Sequence, residues 1–274
     1  MNIYLIGIKG TGMSALACLL ADLGHHVRGS DVSRYIFTQE KLKEKGIVCD
    51  SLENPKYDQY PYVVLGNTFW KQSLVEQLKK EKKTIFTYQE MIRYLANQYP
   101  SIAICGTHGK TTTAHLIETM LSANHTCSYI IGDGEGKGKK DADYFIFEAC
   151  EYEDNFLNYT PNIIVLSNID FDHVDYFKSQ KQYNQSFLTF LNQCKDFVIL
   201  NQDDAITIAL KPFIHKPHYT YAIEAQADVM AKEVVFNEQG VSFIIEYQNQ
   251  RSERMILSIY GKHLFYDALS SIAL

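Results

Sequence analysis

Residues 106–112 read Gly106-Thr107-His108-Gly109-Lys110-Thr111-Thr112, and residues of these types in this order are suited to holding phosphate. An apolar run at 102–105 precedes them and a helical pattern follows, the strand–loop–helix setting that a phosphate loop needs. Glycines let the backbone approach phosphate oxygens with no Cβ in the way. The N–H groups and dipole of a helix N-terminus favour an anion there. Lys110 is placed to reach β- and γ-phosphates, and the Thr111 hydroxyl to ligate Mg²⁺. The spacing is shorter than GxxxxGK[ST], which would put a glycine where Ile104 stands. The plainer reading of the same residues is a glycine turn before a helix.

Three further groups lie at expected strand ends. Glu148 follows the apolar run 144–147, where a carboxylate near a phosphate loop serves as a Mg²⁺ ligand; Glu153 and Asp154 read as a solvated acidic turn. Residues 167–175 supply the Asn168 amide, the carboxylates of Asp170, Asp172 and Asp175 and the His173 ring beyond the run 163–166. Ligands of open α/β sheets bind outside such carboxyl ends, and His173 has the company of a metal ligand. His25, His26, His125, His215 and His218 do not. Gly7-x-x-Gly10-x-Gly12 follows the run 2–6, with Asp31 nineteen residues after Gly12, the distance at which an acid takes a ribose hydroxyl. A nicotinamide enzyme would use that pattern, although its glycine order differs and residues 106–112 would go unused. Gly132, Asp133 and the glycines to 138 form a loop able to close over an anion, or else a flexible linker.

The elements that must position these groups alternate. Strand patterns at 2–6, 26–29, 46–49, 62–65 and 84–86 are separated by helical patterns at 13–23, 38–45 and 74–82. Such alternation predicts an α/β fold with a parallel sheet. The pattern breaks at Gln98-Tyr99-Pro100, a hinge that divides a Rossmann-like domain, 1–97, from a P-loop-type α/β domain, 98–274. The second has strands at 102–105, 144–147, 163–166 and 197–200. Its helices are 183–190 and 111–122, the latter with Leu116, Ile117, Met120 and Leu121 expected inside. From 228 the period changes to two, and runs 229–236 and 241–247 flank a four-residue turn, an added antiparallel hairpin. A last helix begins near Phe265.

Composition narrows the class. With 274 residues, 46% hydrophobic and 21% charged, and a net charge of −6, the chain has ample material for packed cores. It has no run of about 20 apolar residues to span a membrane, and no signal peptide after Met1. No basic cluster suggests nucleic acid, and residues 79–83 read as a solvated helix face. The six cysteines form no CxxC pair; with Cys18, Cys105 and Cys150 in apolar segments, they read as buried free thiols of a reducing cytosol. A cytoplasmic chain is expected.

Taken in order, these motifs resemble the Mur ligases of peptidoglycan synthesis, and most of all their alanine-adding branch. Residues 7–14, including Gly7, Gly10, Thr11, Gly12, Met13 and Ser14, resemble that family's UDP-sugar loop, and Gly29-Ser30-Asp31 its uridine-side motif. Residues 106–112 resemble its ATP loop and 131–134 its substrate loop. Residues 148–157 and 168–177 resemble its two acidic metal segments, and Gly261-Lys262-His263 the start of a G-x-H-N signature. The resemblance implies ATP-dependent joining of the UDP-N-acetylmuramate carboxylate to L-alanine through an acyl phosphate. It implies one Mg²⁺ on Thr111 and Glu148, a second on His173, Asn168 positioning phosphate or metal-bound water, and His263 on the ATP side. The position of the carbamylated lysine found in other branches falls near Phe187-Leu188, with no lysine. Leu264 departs from the signature asparagine, and leucine cannot pair with adenine; the next signature asparagine is Asp267. The family's third, amino-acid-binding domain is expected after residue 274, so this chain is expected to bind its UDP-sugar and to turn over poorly. A ligase that recycles whole peptides onto the same UDP-sugar, or a binding module without catalysis, would share these motifs.

Overall fold

The computed structural model describes residues 1–274, which divide into two compact units. The first comprises Met1–Tyr99 and Asn124–Ile146, the second Pro100–Ala123 and Phe147–Leu274. In chain order the first stretch holds β1 (Asn2–Ile6), α1 (Thr11–Asp22), β2 (His26–Asp31), α2 (Gln39–Glu44), β3 (Val48–Ser51), β4 (Tyr62–Leu65), α3 (Gln72–Lys80), β5 (Thr84–Thr87) and α4 (Tyr88–Ala96). Then follow β6 (Ser101–Cys105), α5 (Lys110–Leu121), β7 (Cys127–Ile131), β8 (Glu135–Lys137), β9 (Tyr144–Glu148), β10 (Ile163–Leu166), α6 (Gln180–Asn192), β11 (Phe197–Asn201) and α7 (Ala205–Leu210). The chain ends with β12 (His218–Ala222), β13 (Val229–Asn237), β14 (Gly240–Tyr247), β15 (Gln250–Arg251), β16 (Met255–Leu257) and α8 (Lys262–Ile272).

In the first unit five parallel strands run in the order β3-β2-β1-β4-β5. The chain steps outward from β1 on one side and then crosses to β4 on the other, so the order reverses beside β1, where open sheets hold ligands. β1 sits in the middle with Ile3, Tyr4 and Leu5 fully buried, which is why its sequence is a near-continuous apolar run. α1 buries every residue from Met13 to Leu20, because the sheet covers one side of it and the hairpin β7–β8 packs on another. A Cβ at Gly136 would stand 2.0 Å from the Ala15 carbonyl oxygen, and one at Gly138 2.5 Å from that of Leu19. The glycines of 132–138 thus permit backbone-to-helix contact, and the flexible-linker reading of this stretch fails.

Sequence patterning passed over α4. A T-x-x-E capping box starts it: Thr87 Oγ1 accepts from the Glu90 amide at 3.0 Å, and the Glu90 carboxylate accepts from the Thr87 amide at 2.8 Å. Replacing Thr87 by alanine should lower the free energy of unfolding by about 1 kcal/mol. Urea denaturation of the two proteins checks this, and equal stability would show the box to be dispensable.

In the second unit β6 and β11 flank β10 in parallel register, with Ile164 opposite Ala103 and Val198. β12 follows β11, and the antiparallel pair β13–β14 extends the sheet. Gly240, at φ 123°, closes the expected turn. Beneath the sheet Phe187 of α6 meets Phe156 edge-on and Phe190 stacks on it, while Tyr183 meets Phe187 edge-on. Two expectations need correction. α5 buries Thr113, Ala114 and Ile117, while Met120 is 44% exposed and Leu116 and Leu121 are only half-buried; α8 packs on this helix and takes up its small-residue side. Cys150 is exposed, unlike buried Cys18, Cys105, Cys127 and Cys194, because it sits past the end of β9. The last helix begins at Lys262, one turn before the expected start. No helix is long and apolar enough to cross a membrane.

Candidate functional site

In the first unit a cavity of about 500 Å³ opens at the carboxyl ends of β1, β2 and β4. Of the residues singled out from sequence, Gly7, Gly10, Thr11, Gly12, Met13 and Asp31 line it. Gly10 caps α1 with no side-chain bond to the first turn, so the helix N-terminus is left to an incoming group. Gly7 adopts φ 85°, and a Cβ there would lie 2.6 Å from the Phe69 ring; only glycine fits that conformation and that space. Asp31, 5% exposed, accepts from the Lys9 amide at 2.7 Å and from the Val32 amide at 2.7 Å. Lys9 Nζ donates to the carbonyls of Val32 at 2.8 Å and Arg34 at 3.0 Å, so this buried ammonium ties the 32–34 loop to the glycine loop.

Ser14 and Ser30 are buried and do not line the cavity. The Ser14 hydroxyl donates to the Thr11 carbonyl at 3.0 Å, and the Ser30 carbonyl accepts from the Gly7 amide at 2.8 Å. Gly132 and Asp133 occupy the β7–β8 turn outside the lining, where the Asp133 carboxylate accepts from the Glu135 amide at 3.1 Å. Sequence reasoning missed Asn67, Phe69 and Tyr88 in the cavity wall. Gly66-Asn67 at the end of a strand pattern was the available signal for the first two; Tyr88 had none without α4.

In the second unit the loop between β6 and α5 is held from all sides. Gly106 and Gly109 take φ 140° and 82°; a Cβ on either would come within 2.1 Å of Ser167 Oγ or 2.2 Å of Asp267 Oδ1. Thr107 Oγ1 donates to the Asp170 carbonyl at 2.8 Å and accepts from the Asp170 amide at 2.9 Å, with Tyr183 Oη 2.9 Å away. Asn168 grips His108 twice: its Oδ1 accepts from the His108 amide and its Nδ2 donates to the His108 carbonyl, both at 3.0 Å. The Ser167 hydroxyl donates to the same carbonyl at 2.6 Å. These bonds join the end of β10 to the loop, which is how Asn168 shapes the site.

Lys110 folds back over the loop. Its ammonium donates to the carbonyls of Gly106 at 2.5 Å and Thr107 at 3.1 Å, and to Glu151 at 3.0 and 3.2 Å. Glu151, 1% exposed, also stands 3.3 Å from His173 Nε2. Sequence reasoning passed Glu151 over in favour of Glu148, which ends β9 half-buried. The E-x-x-E spacing was the available signal. Thr111 and Thr112 lie half-buried in the first turn of α5, and His263 is exposed at the start of α8. No group of three or more His, Cys, Asp or Glu side chains is close enough to hold a metal ion unaided.

Comparison with known proteins also divides the chain in two. Residues 104–274 match the Mur ligase middle domain, and residues 2–100 match the Mur ligase family catalytic domain. The UDP-N-acetylmuramate–L-alanine ligase of Lacticaseibacillus casei (strain BL23) is 38% identical over 273 residues, 98% of this chain and 62% of the relative. That of Lactobacillus delbrueckii subsp. bulgaricus is 35% identical over 275 residues, 100% of this chain and 62% of the relative. The chain thus spans 62% of the length of these curated relatives. A UDP-N-acetylmuramate:L-alanyl-γ-D-glutamyl-meso-diaminopimelate ligase from Neisseria meningitides superposes with a TM-score of 0.82 at 23% identity, covering 99% of this chain and 92% of that one. The UDP-N-acetylmuramate–alanine ligase from Thermotoga maritima gives 0.80 at 20% identity, covering 100% and 64%. At those identities the superpositions show the shared fold, a mixed α/β architecture of parallel sheets. Both domain models match in chain order and together account for nearly every residue, so the chain belongs to the Mur ligase family.

Proposed function

We propose that this chain carries the UDP-sugar-binding and ATP-binding parts of a ligase that joins the carboxylate of UDP-N-acetylmuramate to the amine of L-alanine. The observation that carries the reading is Lys110, poised in a glycine loop at a helix N-terminus and neutralised by buried Glu151. The named activity of the lactobacillar relatives supplies the substrates.

The chemistry explains the need for this site. A carboxylate resists an amine because it is anionic and would have to expel oxide. Transfer of the γ-phosphoryl group from ATP to the carboxylate oxygen gives an acyl phosphate and ADP. Attack by the alanine amine then forms the amide and expels inorganic phosphate. Both steps need charge held in place more than they need covalent help. Lys110 meets the β- and γ-phosphates, the loop amides of 107–112 cradle them, and Asn168 fixes the loop. Thr111 and Glu148 would supply oxygen donors of the kind Mg²⁺ prefers, His173 would be the protein donor for a second ion, such ions would neutralise phosphate charge, and His263 lies on the ATP side. In the first unit the α1 N-terminus takes the diphosphate, and Asp31 a ribose hydroxyl.

The only tryptophan, Trp70, adjoins Phe69 of the cavity wall and reports on it. Titration with UDP-N-acetylmuramate should change its emission saturably, and NADH should not bind. With ATP and Mg²⁺ added, hydroxylamine should trap the acyl phosphate as a hydroxamate, and Lys110→Met should abolish the trapping. A well-folded protein that leaves Trp70 unchanged would overturn the UDP-sugar assignment, and absence of hydroxamate would overturn the phosphoryl-transfer assignment.

A further inference from the structure

His173 is held by more than its own backbone. The segment from Glu151 to Tyr159 and the one from Asp172 to Phe177 exchange two phenol–carboxylate bonds. Tyr152 Oη donates to Asp175 Oδ2 at 2.7 Å, and Tyr176 Oη donates to Asp154 Oδ2 at 2.7 Å. Each segment therefore gives one tyrosine and one aspartate. Ser186 of α6 donates to the other oxygen of Asp154, which anchors the pair to the domain core. The Tyr152 ring lies against the His173 ring with centroids 4.7 Å apart. On its other side His173 Nε2 meets Glu151 Oε1 at 3.3 Å, and Glu151 meets Lys110.

The backbone agrees. Glu153, Asp154 and His173 hold φ of 53°, 57° and 53°, a left-handed conformation costly for non-glycine residues unless the surroundings enforce it. Three such residues fall within these two segments, and the tyrosine–aspartate bonds are what can enforce them. The bonds also perturb their members: the Tyr152 phenol holds the Asp175 carboxyl below its ordinary range, and the Asp154 carboxylate raises the Tyr176 phenol. Asp154 is therefore a bonded strut and not the solvated turn its sequence suggested.

We propose that Tyr152 and Tyr176 are positioning residues: their reciprocal bonds to Asp175 and Asp154 hold His173 against Glu151, and so fix the acidic side of the phosphate loop that a magnesium nucleotide must meet. This rests on the nucleotide-binding reading above. Removing a group that orients a metal-facing side chain weakens metal-dependent binding on the order of tenfold. Tyr152→Phe and Asp175→Ala break the same bond, so the double variant should lose no more than either single one.

The test uses the full chain with the fluorescent nucleotide mant-ADP, titrated with Mg²⁺ and again in EDTA. Tyr152→Phe should weaken binding about tenfold with Mg²⁺ and leave binding in EDTA and the unfolding midpoint unchanged. A merely structural bond would lower the midpoint and both affinities together, and that result overturns the proposal, as does unchanged Mg²⁺-dependent binding. A second measurement needs no nucleotide. The imidazole ¹⁵N resonances of His173, assigned with His173→Gln, should move in Tyr152→Phe and in Asp175→Ala, while those of His25 and His218 stay fixed. Unmoved His173 resonances overturn the proposal. Failure of the wild-type protein to bind mant-ADP, with His173 responding as stated, overturns the nucleotide reading alone.

Discussion

Glu151→Gln should cost roughly 3 kcal/mol of folding stability, because it strands a charge. Lys110 is 16% exposed and Glu151 1%, so water cannot replace the lost carboxylate. The carbonyls of Gly106 and Thr107 still accept from the ammonium, which keeps the loss at the lower end of that found for broken buried pairs. Glutamine preserves the shape, so the effect isolates charge from packing. The size of the gap should change with ligand. A bound nucleoside diphosphate brings anionic oxygens to the same ammonium, so saturating Mg-ADP should stabilise Glu151→Gln more than the wild type and narrow the gap. Urea unfolding with and without nucleotide measures both quantities. A variant within about 0.5 kcal/mol of wild type, the range of inconsequential surface changes, would show that Glu151 is not the countercharge.

Asp267→Asn should act in the opposite direction. Asp267 is 6% exposed on α8, with its carboxylate against Gly109. Burial pushes its pKa up to about 6, with the Thr113 side chain and the His263 ring pulling weakly the other way. The folded value lies above the ordinary 3.8, so folding favours the protonated acid. Its contribution is complete below about pH 4 and is lost as pH climbs through about 6. Two pKa units correspond to about 3 kcal/mol. Asparagine cannot ionise, so Asp267→Asn should be more stable than wild type at pH 7 by about 2 kcal/mol and nearly equal to it at pH 4. Comparing the two proteins at each pH cancels the other titrating groups. A gap that stays constant from pH 4 to 7 would sink the idea. An asparagine at this position would avoid the penalty, so stability alone does not explain the aspartate.

The sheets were the most legible part of the sequence. The apolar run at 163–166 is a strand over Ile163–Leu166, because a strand buried on both faces leaves a continuous apolar stretch. The inner face of α5 was not legible. Its local pattern favours Leu116 and Met120, but α8, made about 150 residues later, decides which side is covered. The glycine loops were placed correctly at strand ends, since their conformations need glycine. Glu151 could not be chosen over Glu148 from residue type, because the turn that aims it inward runs through left-handed Glu153 and Asp154, which propensity disfavours. The 132–138 stretch looked like a loop for a similar reason: its glycines answer to the backbone of α1, far away in sequence.

That last contact bears on the order in which the chain can fold. α1 emerges from the ribosome early, but the stretch that covers its Ala15 and Leu19 carbonyls is complete only at Gly138. Between them the chain must deliver β6 and α5, which belong to the other unit. Domains made in sequence ordinarily fold N-terminal first. Here the first unit can close only after synthesis of the second has begun, so that face of α1 has its cover only once residues of the other unit have been made.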